Sequence, residues 1–448
     1  MTKTHEDTIR QYLDSFKVFE KNLNGESGQP IHKLRSEAIE RFAEMGFSTR
    51  TDEEWRFTNV AEIAKRHFQL PVRGTLSAKD EAKTERFIFE NMKGPRLVFV
   101  NGIFSEAFSR APQLPKGMIV ESLSAALRDN QELVEKYLGR YVSPGMNGFT
   151  ALSAAFMRDG LFLHVPDNVV SEDIIQVIFI STEEEASFVT YPRNLMIVGK
   201  NSQVTIVESY VCLTDATYLT NAVTEIIVGE DAVVEHDKFQ NESMNAYHIA
   251  STHVHQSEHS NYSSNSIVLG GLLVRNDIIA VLDAERSECT LNGLSVATGD
   301  QHIDNHTTID HAKAHCASHE LYKAVLDGNA KGVFNGKIFV RKDAQKTDAK
   351  QTNQTLLLSD NATIDTKPQL EIFADDVKCT HGATVGQLDG EQLFYLRTRG
   401  IPEMAARDIL TFAFASDVVN RIKIGALRDQ LESYVHYKLD TARAEHES

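Results

Sequence analysis

The sequence lacks the features that place a protein in a membrane or on nucleic acid. No apolar run approaches the roughly 20 residues that a membrane-spanning helix needs, and residues 1–7 contain no apolar signal segment. The net charge is -17 over 448 residues, whereas nucleic acids and anionic membranes attract clustered Lys and Arg. We therefore expect a cytoplasmic protein with neither a nucleic-acid partner nor a membrane partner.

Cysteine is scarce, and the four cysteines show no close C-x-x-C pairing. They are Cys212, Cys289, Cys316 and Cys379. Four cysteines in so long a chain do not form a disulfide framework, and in a reducing compartment they are free thiols. Cys212 and Cys289 occur in apolar alternating segments, where a cysteine is usually a small buried apolar residue.

The motifs of stand-alone hydrolases and dehydrogenases are also missing. The chain has neither a G-x-S-x-G elbow nor a G-x-G-x-x-G dinucleotide turn. Residues 332–338 superficially resemble a phosphate-binding loop, but the spacing between the glycines is wrong and no Ser or Thr follows Lys337. We therefore expect that the chain does not hydrolyse ATP by itself.

The length of the chain predicts two or three structural units. The first unit, residues 1–150, is predicted to be mostly helical. Leu34, Ala38, Ile39 and Phe42 follow helical spacing. Apolar runs on both sides of Asn101-Gly102 predict a β-hairpin. The single tryptophan, Trp55, is interpreted as a core anchor rather than a ligand-stacking residue.

Residues 151–398 have a different character and predict a mainly β unit. After a helix near residues 151–157, short runs rich in Val, Ile and Thr alternate with Gly, Asn and Asp. Strand starts recur about every 27 to 31 residues, within the range of a solenoid of stacked coils. The pattern favours a parallel β-helix over a sandwich.

Residues 399–448 predict a C-terminal helical region. Gly400-Ile401-Pro402 is expected to end the strands, and Pro402 suits the first turn of a helix. A second helix is predicted after Gly425. The sequence allows two arrangements of these helices. Both helices could pack on the β unit, or one apolar face could be left exposed for a partner.

Residues 375–386 hold the most promising chemical site. On a β-strand Cys379 and His381 share one face, with Cα atoms roughly 6.6 Å apart, so that one metal ion or cluster could contact both. Zinc and iron-sulfur clusters usually take four ligands, so the remaining ligands would come from elsewhere, including another chain. Asp375 and Asp376 are adjacent and would lie on opposite strand faces, which excludes a paired acid and base.

A second candidate site is a group of histidines, nine of which lie between residues 248 and 319. They are His248, His253, His255, His259, His302, His306, His311, His315 and His319. His253 and His255 share a strand face, which is compatible with metal binding. The alternatives are a self-contained metal-dependent β-helix enzyme and polar side chains stacked on a β-helix surface.

Several long motifs between residues 320 and 425, in their order, closely resemble the SufB/SufD family of iron-sulfur cluster assembly proteins. Trp55 in its local context and His381 resemble the SufD branch. The motifs are VFNGKI at 333–338, QKTDA at 345–349, LLLSD at 356–360, KPQLEI at 367–372, the Cys379/His381 stretch and LRTRGI at 396–401.

The resemblance implies a right-handed parallel β-helix flanked by helical regions and a non-enzymatic role in an assembly complex. It implies a SufB homologue as a β-helix partner and the SufC ATPase as a partner of the C-terminal helices, around residues 402–424. It further implies that His381 joins a SufB cysteine at a transient iron-sulfur cluster; the position of Cys379 also matches. For flavin, the resemblance implies binding at the level of the larger complex only, and this sequence contains no flavin motif that supports it.

Overall fold

Two long sheets of parallel strands wind into a solenoid of about eight turns, with helices before and after it. This computed structural model describes residues 3–23, 28, 30–71, 74, 76, 78–88, 92–183 and 187–447. The predicted parallel β-helix flanked by helical regions is confirmed. None of the helices in these ranges combines the length and the apolar character that a bilayer crossing requires.

The chain begins with a largely helical region that packs against the solenoid. Its helices are α1 (Lys3–Lys21), α2 (Pro30–Met45), α3 (Ala61–Lys65), α4 (Ala78–Thr84), α5 (Leu123–Asp129), α6 (Gln131–Tyr137) and α7 (Gly148–Phe156), with 3-10 turns at Glu53–Trp55, Glu85–Phe87 and Glu106–Phe108. The predicted helix is α2, which buries Ala38, Ile39 and Phe42. Trp55 is 4% exposed and stacks on Phe149, so its interpretation as a core anchor is confirmed.

Three short strands of this region extend the solenoid sheets. They are β1 (Arg96–Val100), β2 (Ile103–Phe104) and β3 (Ile119–Ser122). Strands β1 and β2 pair antiparallel around Asn101 and Gly102, whose φ angles of 48° and 74° suit a type I′ turn. The predicted hairpin is therefore confirmed, and β1 also pairs in parallel with the first long strand of the solenoid.

In the described ranges, seventeen further strands form the solenoid. They are β4 (Leu161–Val165), β5 (Val170–Ser181), β6 (Phe188–Thr190), β7 (Arg193–Val198), β8 (Gln203–Cys212), β9 (Tyr218–Val228), β10 (Val233–Asn241), β11 (Tyr247–Gln256), β12 (Asn261–Val268), β13 (Leu273–Leu282), β14 (Glu288–Ala297), β15 (His302–His311), β16 (Ala317–Leu326), β17 (Lys331–Val340), β18 (Asp348–Leu357), β19 (Thr363–Ile372) and β20 (Lys378–Gly386). The segment that resembles a phosphate-binding loop lies within β17 and is a strand.

The strands alternate between two sheets that face each other across a filled lumen. The first sheet has the order β2-β1-β5-β8-β10-β12-β14-β16-β18-β20, and the second has the order β19-β17-β15-β13-β11-β9-β7-β4-β3. Side chains alternate along each strand, so every second residue points into the lumen. Val177, Ile206, Val234 and Leu291 from the first sheet meet Ile309 from the second in this core.

Tight corners repeat at one edge of the coils and explain the spacing seen in the sequence. Seven non-glycine residues there have φ angles between 51° and 62°. They are Asn168, Asn201, Asp231, His259, Arg286, His315 and Lys346. The backbone N–H of each donates to a carbonyl of the following coil at 2.7–3.3 Å. These hydrogen bonds stabilise a backbone conformation that side-chain-bearing residues rarely adopt.

The C-terminal helices are α8 (Gly390–Thr398), α9 (Glu403–Val419) and α10 (Gly425–Glu447). The two helices predicted after Pro402 and Gly425 are confirmed as α9 and α10. Within the predicted β unit, residues 390–398 form the helix α8 and not a strand. Asp389 caps this helix, since its carboxylate accepts hydrogen bonds from the N–H groups of Glu391 and Gln392.

A network of charged side chains lies in the lumen near the N-terminal end of the solenoid. Glu208 accepts a hydrogen bond from His236 at 2.7 Å, and Glu242 lies 2.7 Å from His248. Lys238 is between these pairs, 3.2 Å from the second ring nitrogen of His248. Burial opposes ionisation, but the hydrogen bond and charge of His236 lower the pKa of Glu208 to about 2. Two buried carboxylates therefore depend on the positive charge of their neighbours.

We expect Lys238→Met to lower the free energy of unfolding by about 3–5 kcal/mol, because it removes the cation between Glu208 and Glu242 and leaves buried negative charge. Urea unfolding of the full chain measures the change. Lys350→Met, at an exposed lysine of the same sheet, is the control and should stay within about 0.5 kcal/mol of the unmodified chain. Equal losses in the two variants would contradict the prediction.

A second buried network fastens the N-terminal region to the outer face of the second sheet. The Arg275 guanidinium stacks 3.8 Å above the Trp55 ring and donates to the Glu54 carbonyl at 2.6 Å. It also pairs with Asp304, which lies 3.0 Å from His306. Burial opposes the charged form of His306, but the charge and hydrogen bond of Asp304 outweigh it and raise the pKa of His306 to about 9.

The raised pKa of His306 makes this attachment sensitive to pH. The stabilisation that protonated His306 contributes through Asp304 is complete below the ordinary histidine pKa of about 6.5. It is lost as the pH rises through the folded-state pKa of about 9. We expect the free energy of unfolding to fall by about 3 kcal/mol over this window, and His306→Gln to lack this decrease. Urea unfolding at pH 6.5 and 9.5 measures it, with His319→Gln, at an exposed histidine, as control. The same pH dependence in His306→Gln would refute the assignment.

Candidate functional site at the open end of the solenoid

Cys379 and His381 lie on β20, the last strand of the first sheet. Strand β20 pairs in parallel with β18, which places Cys379 opposite Ala349 and His381 opposite Gln351. Ala349 and Gln351 are both 1% exposed and face the lumen. Residues paired in register share a face of the sheet. The structure therefore places the thiol and the imidazole on one face, at the end of the lumen.

The two acidic residues before β20 do not belong to the strand. Asp375 and Asp376 form a bend, and β20 begins at Lys378. The interpretation that they lie on opposite faces of a strand is therefore wrong. Asp376 has a structural role, since its N–H donates to Gln345 at 2.9 Å and its carboxylate pairs with Lys346.

The two candidate ligands differ in their surroundings. Cys379 is half-buried and packs against an apolar cluster that contains Ile338 and Ala349. Burial, together with the negative charge of Asp348, raises the pKa of the Cys379 thiol. The thiol is thus protonated at neutral pH and would release its proton when a metal binds. His381 is exposed, so its imidazole is accessible from solvent.

Both sheets end at this site with open hydrogen-bonding edges. In the described part of the chain, β20 pairs only with β18, and β19 pairs only with β17. Three large apolar side chains beside these edges are exposed, namely Ile372, Phe373 and Val385. Open strand edges with exposed apolar residues are typical of a surface to which another chain adds.

The histidines of residues 248–319 do not converge on a metal site. Across the described residues, no group of three or more His, Cys, Asp or Glu side chains is arranged to hold a metal ion. His248 and His311 are lumen residues bound to Glu242 and Ser318. His253 and His255 share the outer face, as predicted, but His253 contacts Ser251 and His255 packs against Tyr141 at a tilted angle.

Of the five remaining histidines of the group, four have structural surroundings and His319 is exposed on β16. His302 and His306 hold the N-terminal region through Thr58 and Asp304. His259 and His315 occupy the corners with positive φ. The self-contained metal enzyme is therefore unsupported, and the histidines serve mainly as hydrogen-bonding partners within the fold.

The C-terminal helices pack on the first sheet and still expose apolar residues. Val418, Ile422 and Leu431 join a cluster with Val207 and Leu294 of the first sheet. On the outer side, large apolar side chains remain exposed at α8 and α9. They are Phe394, Tyr395, Met404 and Ile409. The packing of α9 and α10 on the β unit is thus observed, and the use of the exposed apolar residues by a partner stays a prediction.

Sequence reasoning missed two lumen residues on the strands of the first sheet that precede β20. Gln351 and Glu320 occupy the positions that precede His381 in the same lumen column. Gln351 donates to Glu320 at 2.7 Å. Gln351 and His381 are 30 positions apart, which is close to the length of one coil, so the sequence contained a hint that they are neighbours. The coils differ in length, however, and only the strand register shows which residues are adjacent.

Comparisons with known proteins agree with the fold. Residues 179–414 match the model of the SufBD core domain of the SUF system for FeS cluster assembly, and residues 6–177 match the SufBD protein N-terminal region. An iron-sulfur cluster assembly SufBD family protein of Synechocystis sp. is 33% identical over 441 residues, which cover 97% of this chain and 96% of the relative.

Two relatives carry the name iron-sulfur cluster assembly protein SufD. The one from Escherichia coli is 28% identical over 90% of this chain and 91% of its own length. The one from Bacillus subtilis is 30% identical over 72% of this chain and 74% of its own length.

Proposed function

Because the chain belongs to the SufBD family of iron-sulfur cluster assembly proteins, in its SufD branch, we propose that it is a non-enzymatic subunit of an assembly scaffold. It pairs with a SufB homologue, binds the SufC ATPase and supplies site residues for a nascent cluster. Iron and sulfide are the cargo of this scaffold, and the cluster is held transiently between the two β-helix chains.

The observation that carries the proposal is an incomplete ligand set at an open edge. Cys379 and His381 supply one sulfur and one nitrogen donor on the same face of β20, and no third ligand of this chain completes a metal group within the described residues. An iron-sulfur cluster takes more than two ligands. A second chain docked against the same end would bring the missing donors.

The open edges support a homologous β-helix chain as this partner. Strands β19 and β20 present unpaired backbone groups beside Ile372, Phe373 and Val385. A chain whose solenoid ends in similar strands could continue both sheets through backbone hydrogen bonds, while the exposed apolar residues are removed from water. His381 would then lie at the interface of the two subunits.

The uncovered helices support a separate site for the ATPase. Met404 and Ile409 are 43% and 47% exposed on α9, within the segment 402–424 that the family resemblance associates with SufC. The sequence of this chain contains no phosphate-binding loop, so ATP turnover belongs to the partner. We assign no flavin site to this chain and expect flavin only in the larger complex.

Anaerobic purification of the tagged chain from its native cell, with mass spectrometry of the copurifying proteins, tests the assembly. We expect an ATPase and a second β-helix homologue in stoichiometric amounts. Recovery of the chain alone, with tightly bound metal, would refute the proposal.

His381→Ala should leave folding and assembly of the complex intact but reduce its iron and sulfide content about tenfold or more, because the site loses a ligand that the complex cannot replace. Iron and acid-labile sulfide are measured in the purified complex. His319→Ala, which removes an exposed imidazole from the same solenoid, is the matched control and should have normal content. Normal iron and sulfide in His381→Ala would count against the proposed role.

Ile409→Asp should weaken binding of the ATPase about tenfold or more, because it places a charge in the apolar surface of α9. The side chain is already 47% exposed, so the stability of the chain should change little. Calorimetric titration with the purified ATPase measures the affinity. Val18→Asp, at an exposed apolar residue of α1, is the control. Unchanged affinity in Ile409→Asp would place the ATPase elsewhere.

A further inference from the structure

A column of three polar residues runs along the lumen face of the first sheet and ends at the candidate site. Glu320 on β16 is in register with Gln351 on β18, and Gln351 is in register with His381 on β20. Neighbouring strands are about 4.8 Å apart, so the three residues occupy adjacent positions in the column. The buried end of this column is a carboxyl group, and its open end is the imidazole.

The hydrogen bonds of Gln351 are incomplete in the isolated chain. Its amide nitrogen donates to Glu320 Oε2 at 2.7 Å. Its amide oxygen is buried and has no hydrogen-bond partner within the described residues. An unpaired buried acceptor costs about 1–3 kcal/mol. The neighbouring polar side chain in the column is His381, whose ring carries an N–H group.

The surroundings of Gln351 fix which end of the amide faces His381. Gly336 of the second sheet leaves room for the amide, since a Cβ atom at that position would lie 2.4 Å from the Gln351 nitrogen. The amide nitrogen faces Glu320 in the structure. Above the Glu320 pKa of about 7 the carboxylate can only accept a hydrogen bond, and it therefore holds the amide in this orientation. The amide oxygen is then left for the other neighbour in the column.

On this geometry we propose that Gln351, anchored by Glu320, is the positioning residue of His381. In the conformation described above no hydrogen bond joins Gln351 and His381, and rotation of the exposed His381 ring toward the lumen brings its N–H group to the Gln351 oxygen. This hydrogen bond fixes the tautomer and leaves the lone pair of the other ring nitrogen for the metal. Ligating histidines commonly have such a partner behind them. The inference rests on the proposed function, because it concerns how the assembly site is prepared for iron.

The first test measures the tautomer of His381 in the full-length chain. Histidine is labelled with ¹⁵N, the His381 signals are identified by their loss in His381→Ala, and the ring nitrogen shifts are recorded at pH 8.5. We expect one dominant neutral tautomer in the unmodified chain and a mixture in Gln351→Met, which preserves the shape but removes the amide. A mixture in the unmodified chain would overturn the inference, even if Gln351→Met does not fold.

Two further variants separate positioning from packing. Glu320→Gln offers the amide nitrogen of Gln351 another acceptor and should keep the single tautomer. Thr355→Val alters a buried lumen residue of the same strand and should also leave His381 unchanged. A mixed tautomer in Thr355→Val as strong as in Gln351→Met would show a general packing effect and overturn the inference.

The last measurement links the tautomer to assembly. In the complex with both partners, Gln351→Met should reduce iron and sulfide content about 10- to 100-fold, as is usual when the partner of a metal ligand is lost, and Thr355→Val should not. Normal content in Gln351→Met would overturn the inference. Normal content in His381→Ala would instead refute the proposed function, while the tautomer measurement would still report on the Gln351 contact.

Discussion

Backbone hydrogen bonding between successive coils is the constraint on which the rest of this structure depends. Along most of the solenoid, strands pair in parallel and in register with the strand one turn away, so a position in one coil fixes its equivalents in the next. The corners with positive φ are stabilised in the same way, because their N–H groups bind carbonyls of the following coil. A solenoid built like this aligns side chains into columns that run along its axis.

These columns explain why so many polar groups are tolerated in the lumen. Glu208 is fully buried, and its charge is compensated by His236 on the neighbouring strand. Glu320, nearer the open end, has no such cation in register with it, and burial raises its pKa to about 7. The same stacking thus lowers the pKa of the carboxylates Glu208 and Glu242 at one end of the lumen, whereas the pKa of Glu320 nearer the other end is raised.

A solenoid exposes apolar residues at its two ends and on its outer faces unless other elements cover them. In this chain the outer faces are covered better than the C-terminal end. The N-terminal region covers the second sheet through Trp55 and Arg275, and α9 and α10 cover the first sheet. The final strands remain uncovered, and this is where Cys379 and His381 lie. The part of the solenoid that the chain itself leaves incomplete therefore coincides with its incomplete ligand set.

The sequence by itself determined the fold class, the hairpin at Asn101-Gly102 and the shared face of Cys379 and His381. Each follows from local periodicity or turn chemistry, which a short segment specifies without distant neighbours. The division at residues 150 and 398, the cytoplasmic location and the ligand roles stay predictions. Only the tertiary structure decided that the histidines are dispersed and that Gln351 and Glu320 lie behind His381. These outcomes depend on the register between coils, and register is set by packing and hydrogen bonding across about thirty residues of intervening chain.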